Sequence, residues 1–150
     1  MNTRGVGDPA DADRQVLDAD QVKHLEFLQG VVSRLANNSF LVKGWALTLT
    51  GGLLAFAAGS TSWPIVATAL IVLAAFWFLD GYFLHQERLF RTLYDEVRRP
   101  RSTVEPFSMD PRPYADRVRW RRSAFSPTLS LFYGGLCVAH LAFLAVLLLG

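Results

Sequence analysis

Three residues of this 150-residue chain have side chains that could do chemistry where apolar residues surround them. Asp80 interrupts the run FWFLDGYFL, Lys43 stands at the start of the first long apolar stretch, and His140 lies near the middle of the last one. An ionisable group among apolar neighbours is costly unless paired, so it marks either an internal ion pair or a path for ions or protons. If the helices carrying Lys43 and Asp80 form an antiparallel hairpin, the two residues come to similar depth. An ion pair that pins the hairpin is then one reading, and a gate or ion pathway is the other. His140 has a matching choice, between a neutral imidazole bonded to a neighbouring helix and a proton relay. At 1.5 Å per residue, Asp80 and His140 would differ in depth by roughly 10 Å, so no direct pair between them is expected.

Other chemistry is not signalled. The chain has no GxSxG, HExxH, P-loop or glycine-rich dinucleotide turn. His24, His85 and His140 lack ligand spacing, and Cys137 is the only cysteine, which excludes an intrachain disulfide. The expectation is a non-enzymatic protein without metal or cofactor. The basic run of Arg117, Arg119, Trp120, Arg121 and Arg122 has the composition of a juxtamembrane contact with anionic lipid headgroups. Nucleic-acid binding would need a docking fold that so short a segment does not suggest.

The elements that must position these residues follow from the charge pattern. Half of the chain is hydrophobic (51%), and residues 44–79 and 123–150 contain no Asp, Glu, Lys or Arg. A soluble helix would need polar residues recurring on its solvated face. As one helix the first charge-free run would be about 54 Å long, well beyond a hydrocarbon core of about 30 Å. The breakers Gly59-Ser60-Thr61-Ser62-Trp63-Pro64 divide it into spans over 41–59 and 64–84, with Pro64 in the first turn of the second. A third span covers 128–149. Gly51 and Gly52, with Ala55, Ala57, Ala58 and Gly59, make the first span rich in small residues that let helices approach closely, within one chain or between copies.

The remaining segments read as polar attachments. Residues 1–13 form an expected disordered tail without the apolar core of a cleavable signal. Over 14–40, Leu25, Leu28, Val32 and Leu35 share one face of an amphipathic helix expected to end near Asn37-Asn38-Ser39. The second span continues as a helix to about residue 99, with Phe83, Phe90, Leu93, Tyr94 and Val97 on one face, Glu87, Arg91 and Asp95 at i, i+4 spacing, and Pro100 as its stop. Residues 100–127 form an expected loop with the basic segment at its end. Ten arginines lie between the second and third spans, Arg34 and Lys43 precede the first, and the turn between spans one and two is uncharged. That asymmetry predicts a cytoplasmic N-terminus and central region, and a C-terminus outside. The fold class expected is therefore all-α integral membrane: three transmembrane helices, a hairpin plus a C-terminal span, with cytoplasmic amphipathic helices.

Two segments carry a resemblance. NNSFLVKGWALTL (residues 37–49) and FWFLDGYFLHQERLFRTLYDEVR (76–98), followed by FSMDPRPY (107–114), resemble the pattern of a family of small bacterial integral membrane proteins; the resemblance implies no activity. The architecture is also similar to the small multi-span effectors of bacterial antiphage systems. That likeness implies a homo-oligomeric effector of the bacterial inner membrane that disrupts or conducts across the bilayer, with a cytosolic signalling partner encoded nearby. The alternatives are a membrane anchor or scaffold that recruits a cytosolic partner, and a small transporter subunit.

Overall fold

The computed structural model describes residues 19–99 and 102–149. The expected tail over 1–13, the first turns of the helix expected from 14, and the stop at Pro100 lie outside the described residues. All regular structure among the described residues is helical: α1 (Ala19–Ser60), α2 (Trp63–Val97), a 3₁₀ turn (Arg112–Arg117), α3 (Trp120–Ala124) and α4 (Pro127–Leu149). Three of these helices, α1, α2 and α4, are long and apolar enough to cross a membrane.

α1 and α2 form the antiparallel hairpin. Its turn is short: Thr61 takes a left-handed backbone (φ 52°), Ser62 is extended, and Pro64 sits in the first turn of α2. The lone extended residue lets the chain reverse without a loop, and Pro64 meets no hydrogen-bond loss there because first-turn amides have no helical acceptor. α4 runs beside α2, entered through Ser126, whose hydroxyl accepts from the Leu129 amide at 3.4 Å. A serine before Pro127 is a good helix start, since one satisfies a free amide and the other presets φ.

The helix expected to end at Asn37-Asn38-Ser39 does not end there. α1 continues for 42 residues, about 63 Å. Asparagine and serine favour helix ends because their side chains compete for nearby backbone groups. Ser39 is buried and its hydroxyl donates to Asp80 on α2, so it bonds across the hairpin rather than closing the helix.

Two apolar cores result, one towards each end of the hairpin. At the end rich in charge, Leu25 and Leu28 of α1 pack on Leu93 and Val97 of α2, with Phe90, Tyr94, Val104 and Tyr114 around them. The faces expected from periodicity meet here, although Leu89 and Leu93 are more central than Phe83. Glu87 pairs with Arg91 at 2.7 Å as the spacing predicts, whereas Asp95 pairs with Arg98 at 3.8 Å rather than with Arg91. In the apolar half, Ala46, Leu73, Leu129 and Tyr133 form the second core. Much of the apolar surface there faces outward: Phe40, Trp45, Phe56, Ile71, Leu131 and Val146 are all at least 60% exposed. Only 11% of the most apolar window of α4 is buried in the fold, so most of its apolar surface is left uncovered by the other described helices.

The segment expected as a plain loop is a strap tied to the hairpin. The His24 Nε2 donates to the Ser108 carbonyl at 2.8 Å, and Phe107, in a left-handed conformation (φ 60°), places its ring near those of His24 and Phe27. Gln21 donates to the Val97 carbonyl at 2.5 Å, satisfying one of the free acceptors at the end of α2. The strap ends in the 3₁₀ turn and α3, both inside the expected loop region.

Candidate functional site

Asp80 is fully buried between α1 and α2, on the hairpin level where the two cores meet. Lys43 reaches its carboxylate at 2.6 Å, and the Ser39 hydroxyl donates to the other oxygen. Lys43 also donates to the Ser39 hydroxyl at 2.8 Å, which closes a three-member network across one helical turn of α1. The i, i+4 spacing of Ser39 and Lys43 puts both on the α1 face that meets Asp80. The pairing expected between Lys43 and Asp80 is thus present, joined by Ser39, whose part in it sequence reasoning missed. The NNSFLVK spacing held the signal for Ser39. Tyr133 on α4 is also nearly buried, and its phenol has no hydrogen-bond partner among the described residues.

His140 forms a second link, from α4 to α1. Its Nε2 lies 3.2 Å from the Thr50 carbonyl and its Nδ1 lies 2.8 Å from the Leu136 carbonyl. A neutral imidazole carries one N–H and donates to one of these acceptors; a protonated ring would donate to both. His140 and Asp80 occupy separate networks, as their expected difference in depth implies.

Among the described glycines Gly81 alone lies against another helix, and sequence reasoning did not single it out. A Cβ there would lie 3.3 Å from Trp120 Cη2 and 3.4 Å from the Ala124 Cα. The missing side chain lets α3 lie flat on α2. Trp77 secures it by donating its indole N–H to the Ala124 carbonyl at 3.0 Å, and Trp120 packs on Phe78 and His85 with ring centroids 5.2 and 5.6 Å apart. Gly51 and Gly52, expected at a packing seam, are exposed, and a Cβ on either would meet nothing within 4 Å. They are not where helices of one chain touch.

The basic segment divides in two. Trp120 is turned inward as the peg just described, and Arg117 pairs with Glu96 and lies over the Tyr114 ring at 5.1 Å. Trp120 is thus committed to the fold, whereas the paired Arg117 side chain is still 57% exposed and faces the basic cleft. Arg119, Arg121 and Arg122 are exposed and form no ion pair with a described residue. Arg88 of α2 donates to the Arg122 carbonyl at 2.9 Å and to Ser123 at 3.3 Å, fixing the segment from beneath. Beside it, burial and then the Arg88 charge hold the His85 imidazole below its ordinary value of 6.5. Exposed on the strap, Asp110 receives the Arg112 guanidinium at 2.8 Å, and that bond keeps its carboxyl low. Among the described residues, no group of His, Cys, Asp or Glu is placed to hold a metal ion.

Compared with known proteins, the chain matches no family model, no curated protein and no solved structure.

Proposed function

We propose that this is a multi-pass protein of the bacterial inner membrane, crossing it three times, and that it serves as a membrane-anchored scaffold. The N-terminal half of α1, the C-terminal half of α2 and the strap stand in the cytoplasm as a helical collar that engages a cytosolic partner; the C-terminus lies outside. The reading involves no catalytic step. One observation carries it: Asp80, Lys43 and His140, the polar groups that could have lined a path through the bilayer, are bonded between helices of a single chain. Internal use of these groups makes a rigid support and leaves them off any conducting surface. The arginines between α2 and α4 favour the cytoplasmic side for the collar.

Cysteines introduced at Thr61 and at Met109 in a Cys137→Ser background test the topology. A membrane-impermeant thiol reagent added to intact cells should label position 61 and not position 109. The same protein reconstituted in liposomes should neither release dye nor carry current. Labelling of position 109 would overturn the orientation, and a current abolished by Asp80→Asn would overturn the scaffold.

The second reading is the homo-oligomeric effector that disrupts the bilayer, and one observation favours it. Gly44, Thr48, Gly52, Ala55 and Gly59 fall on one exposed face of α1 at spacings of three or four, with open space at each glycine. Such a face suits close helix approach between copies in lipid. Gly52→Leu should abolish crosslinked dimers in membranes if copies meet there; a chain that crosslinks only as monomer removes this reading.

A further inference from the structure

We propose that the protein carries a built site for one anionic phospholipid, with the headgroup held by arginines from α2 and the segment before α4, and an acyl chain laid between α2 and α4. This rests on the three-span reading above.

Two cavities make the case. The first, of about 620 Å³, is walled by Arg88 and Arg91 of α2 and by Arg117, Arg119, Arg121 and Arg122. Glu87 and Glu96 each pair with one of these six arginines, and Asp116 borders the outer end of the basic surface. Six guanidinium groups against three carboxylates leave a clear positive excess. Arg119, Arg121 and Arg122, without partners among the described residues, supply it at the rim. Guanidinium is suited to phosphate because its planar donors engage two oxygens together.

The second cavity, of about 360 Å³, is an apolar groove between α2 and α4, lined among others by Leu70, Leu73, Trp77, Leu129 and Gly134. Phe125 lines both cavities, so the basic cleft passes into the apolar groove across one ring. Along α2 the groove from Leu70 to Trp77 is about 10 Å long, within the roughly 15 Å depth of one hydrocarbon leaflet. The order is that of a lipid: anionic end at the arginines, apolar length in the bundle. A basic pocket between spans at the cytoplasmic side has the chemistry for such headgroups. A zwitterionic lipid would share the groove and lack the net charge; a free phosphate would share the cleft and lack the groove.

Native mass spectrometry of the full chain in detergent tests this, with dioleoyl phosphatidylglycerol, dioleoyl phosphatidylcholine and inorganic phosphate as probes. Phosphatidylglycerol should be retained about tenfold more than phosphatidylcholine, and excess phosphate should not displace it. The double variant Arg121→Gln, Arg122→Gln should bring phosphatidylglycerol down to the phosphatidylcholine level. Gly134→Leu should lower retention of both lipids, because Gly134 is exposed on the groove wall, a Cβ there meets nothing within 4 Å, and the longer side chain would occupy groove volume. Equal retention of the two lipids, or an unchanged Gly134→Leu variant, overturns the lipid site. Displacement by phosphate reassigns the cleft to a free phosphoanion and overturns it too. Alkaline extraction of cell membranes separates the two levels: a chain released by alkali overturns the three-span reading, whereas a chain that stays embedded but shows no lipid preference overturns the site alone.

Discussion

Lys43 and Asp80 meet at 2.6 Å across the hairpin, but they are unequally buried: the lysine side chain is 19% exposed and the aspartate 0%. A long amine at the margin can reach water or headgroups when its partner is lost, whereas a buried carboxylate cannot. The two halves of this pair therefore have different consequences when removed.

Lys43→Met should destabilise the fold by about 3–5 kcal/mol, the range for leaving one buried charge uncompensated. Asp80→Asn should cost less, because Lys43 is free to turn outward and asparagine still accepts from Ser39. The double variant should recover most of the loss. Unfolding of the purified chain in mixed micelles checks the order, and equal costs for the two single variants would show that Lys43 is as confined as Asp80.

At the α1–α4 link, His140→Leu comes close to the volume of histidine and removes the contact with the Thr50 carbonyl. The expected loss is about 0.6–1.7 kcal/mol, the size of side-chain hydrogen bonds between helices in lipid. The same titration measures it, and a variant as stable as the parent would show that packing alone joins α4 to α1.

Gly81 admits α3, so side chains placed there should push it away in proportion to their size. Gly81→Ala meets the movable Trp120 ring first and should be mild. Gly81→Leu also meets the Ala124 backbone and should cost about 1–3 kcal/mol, as overpacking does. A red shift of tryptophan emission as Trp120 leaves Phe78 and His85 would report the displacement.

Thr61 is a β-branched residue in the left-handed region at the position just past α1, where glycine is usual. Thr61→Gly should stabilise the hairpin by about 1 kcal/mol through relief of that strain. A lowered midpoint in the micelle titration would show that Thr61 makes compensating contacts.

His85 adds a pH dependence. Its folded value is lowered, so the unfolded chain binds the proton more readily; stability is therefore full above about 6.5 and declines as pH falls below it. Thermal unfolding of the parent and of His85→Gln between pH 7.5 and 5 should show the extra decline only in the parent. Parallel profiles would remove His85 from the account.

Sequence and structure differ in what each can reveal. The three apolar helices, the hairpin turn at Thr61-Ser62 and the continuation of α2 past His85 are legible in residue order, because hydropathy, breakers and proline act over a few neighbouring positions. In an apolar solvent a span must also satisfy its backbone within itself, so its existence is a local property of the segment. The helix end expected at Asn37-Asn38-Ser39 fails for the opposite reason: Ser39 has a partner on another helix, and that partner is invisible to local preference.

The Asp80 and Lys43 pairing lies between these cases. Residue order alone put the two at similar depth, because an antiparallel hairpin relates positions on either side of its turn. Only the tertiary structure decided that Ser39 completes the network, that Gly81 rather than Gly51 or Gly52 marks the close approach, and that Phe125 joins a basic cleft to an apolar groove. Each of these depends on how far one helix is rotated against another. That rotation is set by the summed packing of many side chains, and no short run of residues encodes it.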